Sequence, residues 1–195
     1  MSGLLRLINR RSRLWVCLAL GVSLVLLGPL AAAVAVQLGD GSTMFVSPPR
    51  LVSFETTQNQ AGRRNATYYV TVNLLPDADE PLKTLAVDLI EGRFPRLNYR
   101  LNDLEVFVGT RRDRGADLAI AQADYNNDTQ TLTIELLEPA APGQLLTFAL
   151  KPIRNPTEGV YLFEVSAAPA GEQPVWQRAG TGRLHIYRDV YPLFH

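Results

Sequence analysis

Residues 67–74 read Thr-Tyr-Tyr-Val-Thr-Val-Asn-Leu. Tyr68, Val70, Val72 and Leu74 fall on one side of an extended chain, and Thr67, Tyr69, Thr71 and Asn73 on the other. Successive side chains of a strand point to opposite faces, so this alternation marks a strand with one face on a core. The same period recurs along the chain. Leu132, Ile134 and Leu136 oppose Thr131, Thr133 and Glu135. Leu146, Phe148 and Leu150 alternate, as do Tyr161, Phe163, Val165 and Ala167, then Leu104, Val106 and Val108, then Leu184 and Ile186. With residues 45–46, 51–55, 85–89 and 118–122 added, the pattern predicts about nine or ten strands at the spacing of an antiparallel sandwich.

Residues 82–89 also fit a helical stripe of Leu82, Leu85, Ala86 and Leu89 capped by Asp79. The alternation of Leu85, Val87 and Leu89 with Ala86 and Asp88 favours a strand. From Val36 onward the chain holds 11 Gly and 12 Pro in 160 residues. Breakers at that density suit short strands and leave little room for long helices. Residues 139–143 (PAAPG) have the composition of a tight link between strands. Asn126-Asn127 tolerates left-handed backbone, so it is expected to close a hairpin between residues 119–125 and 130–137. Residues 36–43 read as a lead-in, and the tail from Asp189 as irregular. The fold class expected is all-β: an antiparallel immunoglobulin-like sandwich over residues 36–195, behind an N-terminal export segment.

That segment has three parts. Residues 1–13 are basic, residues 14–27 (LWVCLALGVSLVLL) are apolar and uncharged, and Gly28-Pro29 precedes the small residues Ala31, Ala32, Ala33, Val34 and Ala35. This is the plan of a secretory signal peptide over residues 1–35, with cleavage before Val36. The alternative is an uncleaved anchor over residues 14–36, because residues 14–38 are 25 uncharged residues, enough to cross ~30 Å of hydrocarbon. Either way the basic start places the rest of the chain outside the cytoplasm, periplasmic or extracellular. Arg10-Arg11 does not make a twin-arginine signal, since Ser12-Arg13 follows it where apolar residues are wanted. Cys17, the single cysteine, lies inside the apolar run. After cleavage no disulfide, thiol nucleophile or cysteine-ligated zinc remains.

The chain balances 19 Lys and Arg against 19 Asp and Glu, but four Arg (Arg6, Arg10, Arg11, Arg13) and no acid lie in the first 35 residues. The remainder carries 15 basic and 19 acidic groups, a net charge of −4, which argues against a nucleic-acid binder.

An ordered set of short stretches resembles a known family. Ser47-Pro48-Pro49-Arg50-Leu51 comes first, then Tyr68-Tyr69 running to Leu75-Pro76, then Pro142-Gly143 ahead of a strand. Lys151-Pro152-Ile153-Arg154-Asn155-Pro156 follows, with residues 159–163 (GVYLF), 169–172 (PAGE) and 182–187 (GRLHIY) after it. The order and wording are similar to a cyanobacterial family of exported proteins carrying a domain of unknown function, over roughly residues 43–188. The resemblance implies an envelope or extracellular setting and brings no catalytic residues.

Three stretches are candidate sites. Asp124, Asn126 and Asp128, with Glu135 eleven residues after Asp124, carry oxygen ligands at positions 1, 3, 5 and 12 of a calcium loop. Position 6 is Thr129 where such a loop needs Gly, and the flanks read as strands, so a polar hairpin competes with the calcium reading. Arg93, Arg96, Arg100, Arg111, Arg112 and Arg114, interleaved with Phe94, Leu97 and Tyr99, suit an anionic surface. Against that, Asp103, Glu105, Asp113 and Asp117 dilute the cluster, so solvated loops are the simpler expectation. In residues 151–158 two prolines stiffen the backbone and offer Arg154 and Asn155 to a ligand, or simply join two strands. His185, between Leu184 and Ile186, is expected on a solvated face. Two distant His without Cys do not make a transition-metal site.

No G-x-S-x-G, H-E-x-x-H or phosphate-binding glycine loop is present. The reading is an exported cell-envelope module that binds an envelope protein or glycan, or gives support, without catalysis and without a cofactor other than calcium. The alternatives are a secreted carbohydrate-active hydrolase using paired carboxylates and a calcium-stabilised adhesion module. Membrane contact is expected only through the N-terminal segment.

Overall fold

The computed structural model describes residues 41–93 and 97–188. The expected signal peptide or anchor, Phe94, Arg96 and the tail from Asp189 lie outside them. Twelve strands are described: β1 (Ser42–Thr43), β2 (Arg50–Thr56), β3 (Tyr68–Leu74), β4 (Leu82–Glu91), β5 (Glu105–Gly109), β6 (Arg114–Leu118), β7 (Ile120–Asn126), β8 (Thr131–Ala140), β9 (Gln144–Leu150), β10 (Gly159–Pro169), β11 (Gln173–Pro174) and β12 (Gln177–Ile186). Ten of them form two five-stranded antiparallel sheets, in the orders β12-β10-β4-β8-β7 and β2-β3-β9-β5-β6. The fold is an antiparallel immunoglobulin-like β-sandwich.

Alternation places the core where period 2 requires. Tyr68, Val70, Val72 and Leu74 are wholly buried on one sheet. Leu132, Ile134, Leu136, Tyr161, Phe163 and Val165 are buried on the other. Residues 82–89 are a strand, as the alternation of Leu85, Val87 and Leu89 predicts. Among the described residues no helix is long and apolar enough to cross a membrane.

Four local expectations need correction. Residues 118–122 are not one strand: β6 ends at Leu118 in one sheet and β7 starts at Ile120 in the other. The chain changes sheet at Ala119 and so closes one side of the sandwich. The lead-in is not wholly irregular, because Ser42 and Thr43 pair in parallel with Gln173 and Pro174. Residues 45–46 make no ladder. Phe45 is buried there, and its backbone N–H and C=O are met by the Gln177 side-chain amide at 2.7 and 3.0 Å. Finally, the left-handed residue of the β7–β8 hairpin is Gln130 (φ 57°), not Asn126 or Asn127. Asn126 acts through its side chain, whose Oδ1 accepts the N–H of Asp128 (2.9 Å) and of Thr129 (3.2 Å).

The other side of the sandwich closes where β12 lies on β2. Gly182 faces the Phe54 ring so closely that a Cβ on it would stand 2.3 Å from Phe54 Cδ2. Phe54 in turn stacks on Phe163, ring centroids 4.7 Å apart and 16° from parallel. Phe163 is the cross-strand partner of Gly182, so the missing side chain is what admits the ring.

Candidate binding surface

The outer face of the β2-β3-β9-β5-β6 sheet is partly sealed by its own chain. Thr147 Oγ1 donates to the Gly109 carbonyl (2.6 Å) and lies 2.9 Å from Thr71 Oγ1. That bond holds the end of β5 across the face. Gly109 has φ 93°, and a Cβ there would meet the Asp113 carbonyl oxygen at 2.2 Å, so the bend requires glycine. The turn after it is closed by Thr110 and Asp113, whose backbone groups bond each other at 3.0 and 3.1 Å. Arg111 and Arg112 are its tip.

The arginine run therefore divides. Arg114 belongs to the fold. Its guanidinium lies 4.4 Å over the Phe107 ring and bonds Glu105 (2.8 Å) and Asp117 (2.7 Å), while Lys151 reaches the same Glu105 at 3.1 Å. Phe107, though on the outer face, is almost fully buried. The Arg114 and Lys151 bonds hold the Glu105 carboxyl below the usual carboxylate range. Arg93 lies 3.8 Å from Glu158 and Arg100 lies 3.3 Å from Asp103. Arg111 and Arg112 remain. Arg111 is seated over the Tyr69 ring at 5.1 Å. The Arg112 side chain has no hydrogen-bond or ion-pair partner among the described residues. Together they rim a groove of about 270 Å³ with Val52, Ser53, Glu55, Tyr69, Thr71 and Thr110.

Tyr69, Ser53 and Glu55 are groove residues that sequence reasoning missed. A signal was present: Tyr69 is a large aromatic on the polar side of a strand, where solvent alone does not call for one.

The loop candidates behave differently from each other. Arg154 is exposed. Asn155 is buried and its polar side-chain groups are taken up inside the chain. Its Oδ1 accepts the Tyr68 hydroxyl (2.8 Å), and its Nδ2 donates to the carbonyls of Gln58 (2.8 Å) and Gln60 (2.9 Å). Asn155 thus ties two loops together within the fold. Burial pushes the Tyr68 hydroxyl far up from its ordinary pKa, with Tyr161 adding to it.

The four calcium candidates are not gathered by a loop. Asp124 pairs with Thr133 and Glu135 with Gln122, so both side chains lie along one ladder. Glu135 meets Lys83 Nζ at 3.3 Å. The Asn126 Oδ1 is occupied by the turn, and Asp128 is exposed at its tip. Among the described residues no group of three or more His, Cys, Asp and Glu side chains converges as a metal site would. His185 is exposed between buried Leu184 and Ile186, as expected, and stacks with Tyr187 at 6.3 Å.

A second depression, of about 440 Å³, is lined by Arg100, Asn102, Asp103, Leu104, Glu105 and Lys151. It holds two acids, Asp103 and Glu105, but each is paired with a cation, and no aromatic ring lines it. A glycosidase acid must instead be held protonated near neutral pH, and Glu105 is shifted the opposite way.

Among curated proteins none matches this chain. Solved structures that it resembles share little sequence. The full-length major pilin SpaD from Corynebacterium diphtheriae is 16% identical with a TM-score of 0.46, over 70% of this chain and 34% of the pilin. The bacterial hydrophobin BslA is 14% identical at 0.42, over 72% of this chain and 99% of its own. The collagen binding subdomain ACE19 of the Enterococcus faecalis surface protein ACE is 9% identical at 0.40, over 68% and 95%. Likenesses of this size carry no argument about activity. A family match spans residues 42–186, from β1 to the end of β12. The chain belongs to the family described as Protein of unknown function (DUF2808).

Proposed function

We propose that this is an exported, non-catalytic module of the cell envelope that binds through the groove beneath Arg111 and Arg112. The observation that carries the reading is the contrast on one sheet face. Arg114, Thr147 and Phe107 are locked into the fold, whereas Arg111, Arg112, Glu55 and the Tyr69 hydroxyl make no hydrogen bond among the described residues and lie beside a concavity. Side chains with polar groups left unspent around a concavity are what a binding surface needs. Export is supported by the basic, apolar and small-residue plan of residues 1–35, and a cyanobacterial envelope by the ordered stretches over residues 43–188.

Retention on envelope material tests the reading. The full chain is expected to be retained on isolated envelope fractions and to release no reducing sugar from them. Loss of retention in an Arg111→Ala/Arg112→Ala variant supports the groove as the contact. Steady release of reducing ends overturns the non-catalytic assignment.

A further inference from the structure

We propose that the Arg111–Arg112 groove takes an acidic glycan, a sugar ring that carries a carboxylate; this rests on the binding-module reading above. The volume, about 270 Å³, lies just under the range of pockets for drug-sized molecules (~300–1,000 Å³) and suits one ring rather than a folded partner. Charge comes next. Two guanidiniums face one carboxylate, so the groove favours an anion. The planar fork of Arg pairs with a carboxylate through two parallel bonds. Arg111 is already seated over Tyr69, and its turn is fixed by Gly109 and Thr147, so part of the ordering is done before a ligand arrives.

Glu55 selects among anions. It is the cross-strand neighbour of Tyr69 and can only accept hydrogen bonds when ionised. A bare inorganic anion would leave it opposed and unmatched. A sugar acid brings hydroxyl donors for Glu55 and Ser53 and a carboxylate for the arginines on the same ring. Val52 and the Tyr69 ring offer apolar contact to its C–H face. The recognised chemistry is therefore vicinal hydroxyls beside a carboxylate, as in a uronate polymer.

The test uses the full chain with trigalacturonate, maltotriose and sodium sulfate as probes, followed by calorimetry and by ¹⁵N chemical shifts. Trigalacturonate is expected to bind, to shift the amides of Tyr69 and residues 110–113, and to outcompete maltotriose. Arg111→Ala/Arg112→Ala should weaken it by about tenfold or more, the loss of one charge-assisted pair, while Arg64→Ala leaves it unchanged. Glu55→Ala is the deciding variant: trigalacturonate weakens while sulfate strengthens. Strengthening of both would show a plain anion site and overturn the sugar assignment. Equal binding of maltotriose overturns the requirement for acid. Shifts confined to other residues, or no binding of trigalacturonate, overturn the proposal, and retention on whole envelope fractions would then still stand for the binding-module reading. Unchanged melting temperatures keep the variants interpretable, because all four side chains are exposed.

Discussion

Replacing Gly182 with alanine puts a methyl group where Phe54 already is. The new Cβ would lie 2.3 Å from Phe54 Cδ2, 2.4 Å from Cγ and 2.6 Å from Cβ, all below the 3.0 Å that real Cβ contacts respect. Phe54 has no easy retreat, since its ring stacks on Phe163 at 4.7 Å and lies 6.4 Å from Tyr68. Overpacking of a well-filled core costs about 1–3 kcal/mol, and disturbing the stacked pair adds roughly 0.5–1.5 kcal/mol. Removing a glycine from the unfolded chain returns about 0.4–1 kcal/mol. The net is a destabilisation of about 2 kcal/mol, a fall in Tm of roughly 4–8 °C for a domain of this size. Calorimetry of the purified full chain reads it. A Phe54→Ala variant supplies the cycle: alone it loses about 3 kcal/mol or more, and combined with Gly182→Ala the loss falls short of the sum by about 1 kcal/mol or more, because the clash is gone. An unchanged Tm for Gly182→Ala, or strict additivity in the double variant, refutes the reasoning.

Other outcomes follow from the same contacts. Asn155→Ala strands the Tyr68 hydroxyl and two loop carbonyls, so chemical denaturation should show a loss of about 2–4 kcal/mol; a neutral result would return Asn155 to the ligand candidates. Phe163→Asp puts an unpaired charge in the core and should abolish cooperative unfolding; a soluble, sharply melting variant would show that Phe163 does not face inward. Glu105 has its pKa lowered from 4.5 in the folded chain. Its contribution is therefore complete above that ordinary value and fades as pH falls through the lower folded one. Glu105→Gln should lower stability near neutrality and converge on the parent in acid, which flattens the acid limb of the stability–pH curve. Millimolar calcium should leave Tm unchanged, and Asp124→Asn/Asp128→Asn should be close to neutral; a calcium-dependent rise lost in that variant would restore the site.

The core was legible because burial and sequence obey the same period. Tyr68 to Leu74 alternate in type and alternate in exposure. The sheet change at Ala119 was not, since Gly115 is the only breaker between residues 114 and 126 and nothing local marks the crossing. Asn155 looks like a solvated loop residue until Tyr68, 87 positions away, is found bonded to it. The groove was half visible. Arg111-Arg112 stands out as a charged pair, but its position over Tyr69 depends on the bend at Gly109, which a one-dimensional pattern does not carry.

The parallel pairing of β1 with β11 sets a timetable. Ser42 waits for Gln173, and the Phe45 backbone waits for the side chain of Gln177, 132 residues later. Chains grow from the amino end at about 5–20 residues per second, so roughly 7–26 s pass between making the first partner and the second. The front of the domain is thus the last part that can be fastened, after nearly every other strand exists. Until Gln173 and Gln177 have been made, neither Ser42 nor Phe45 can close this clasp.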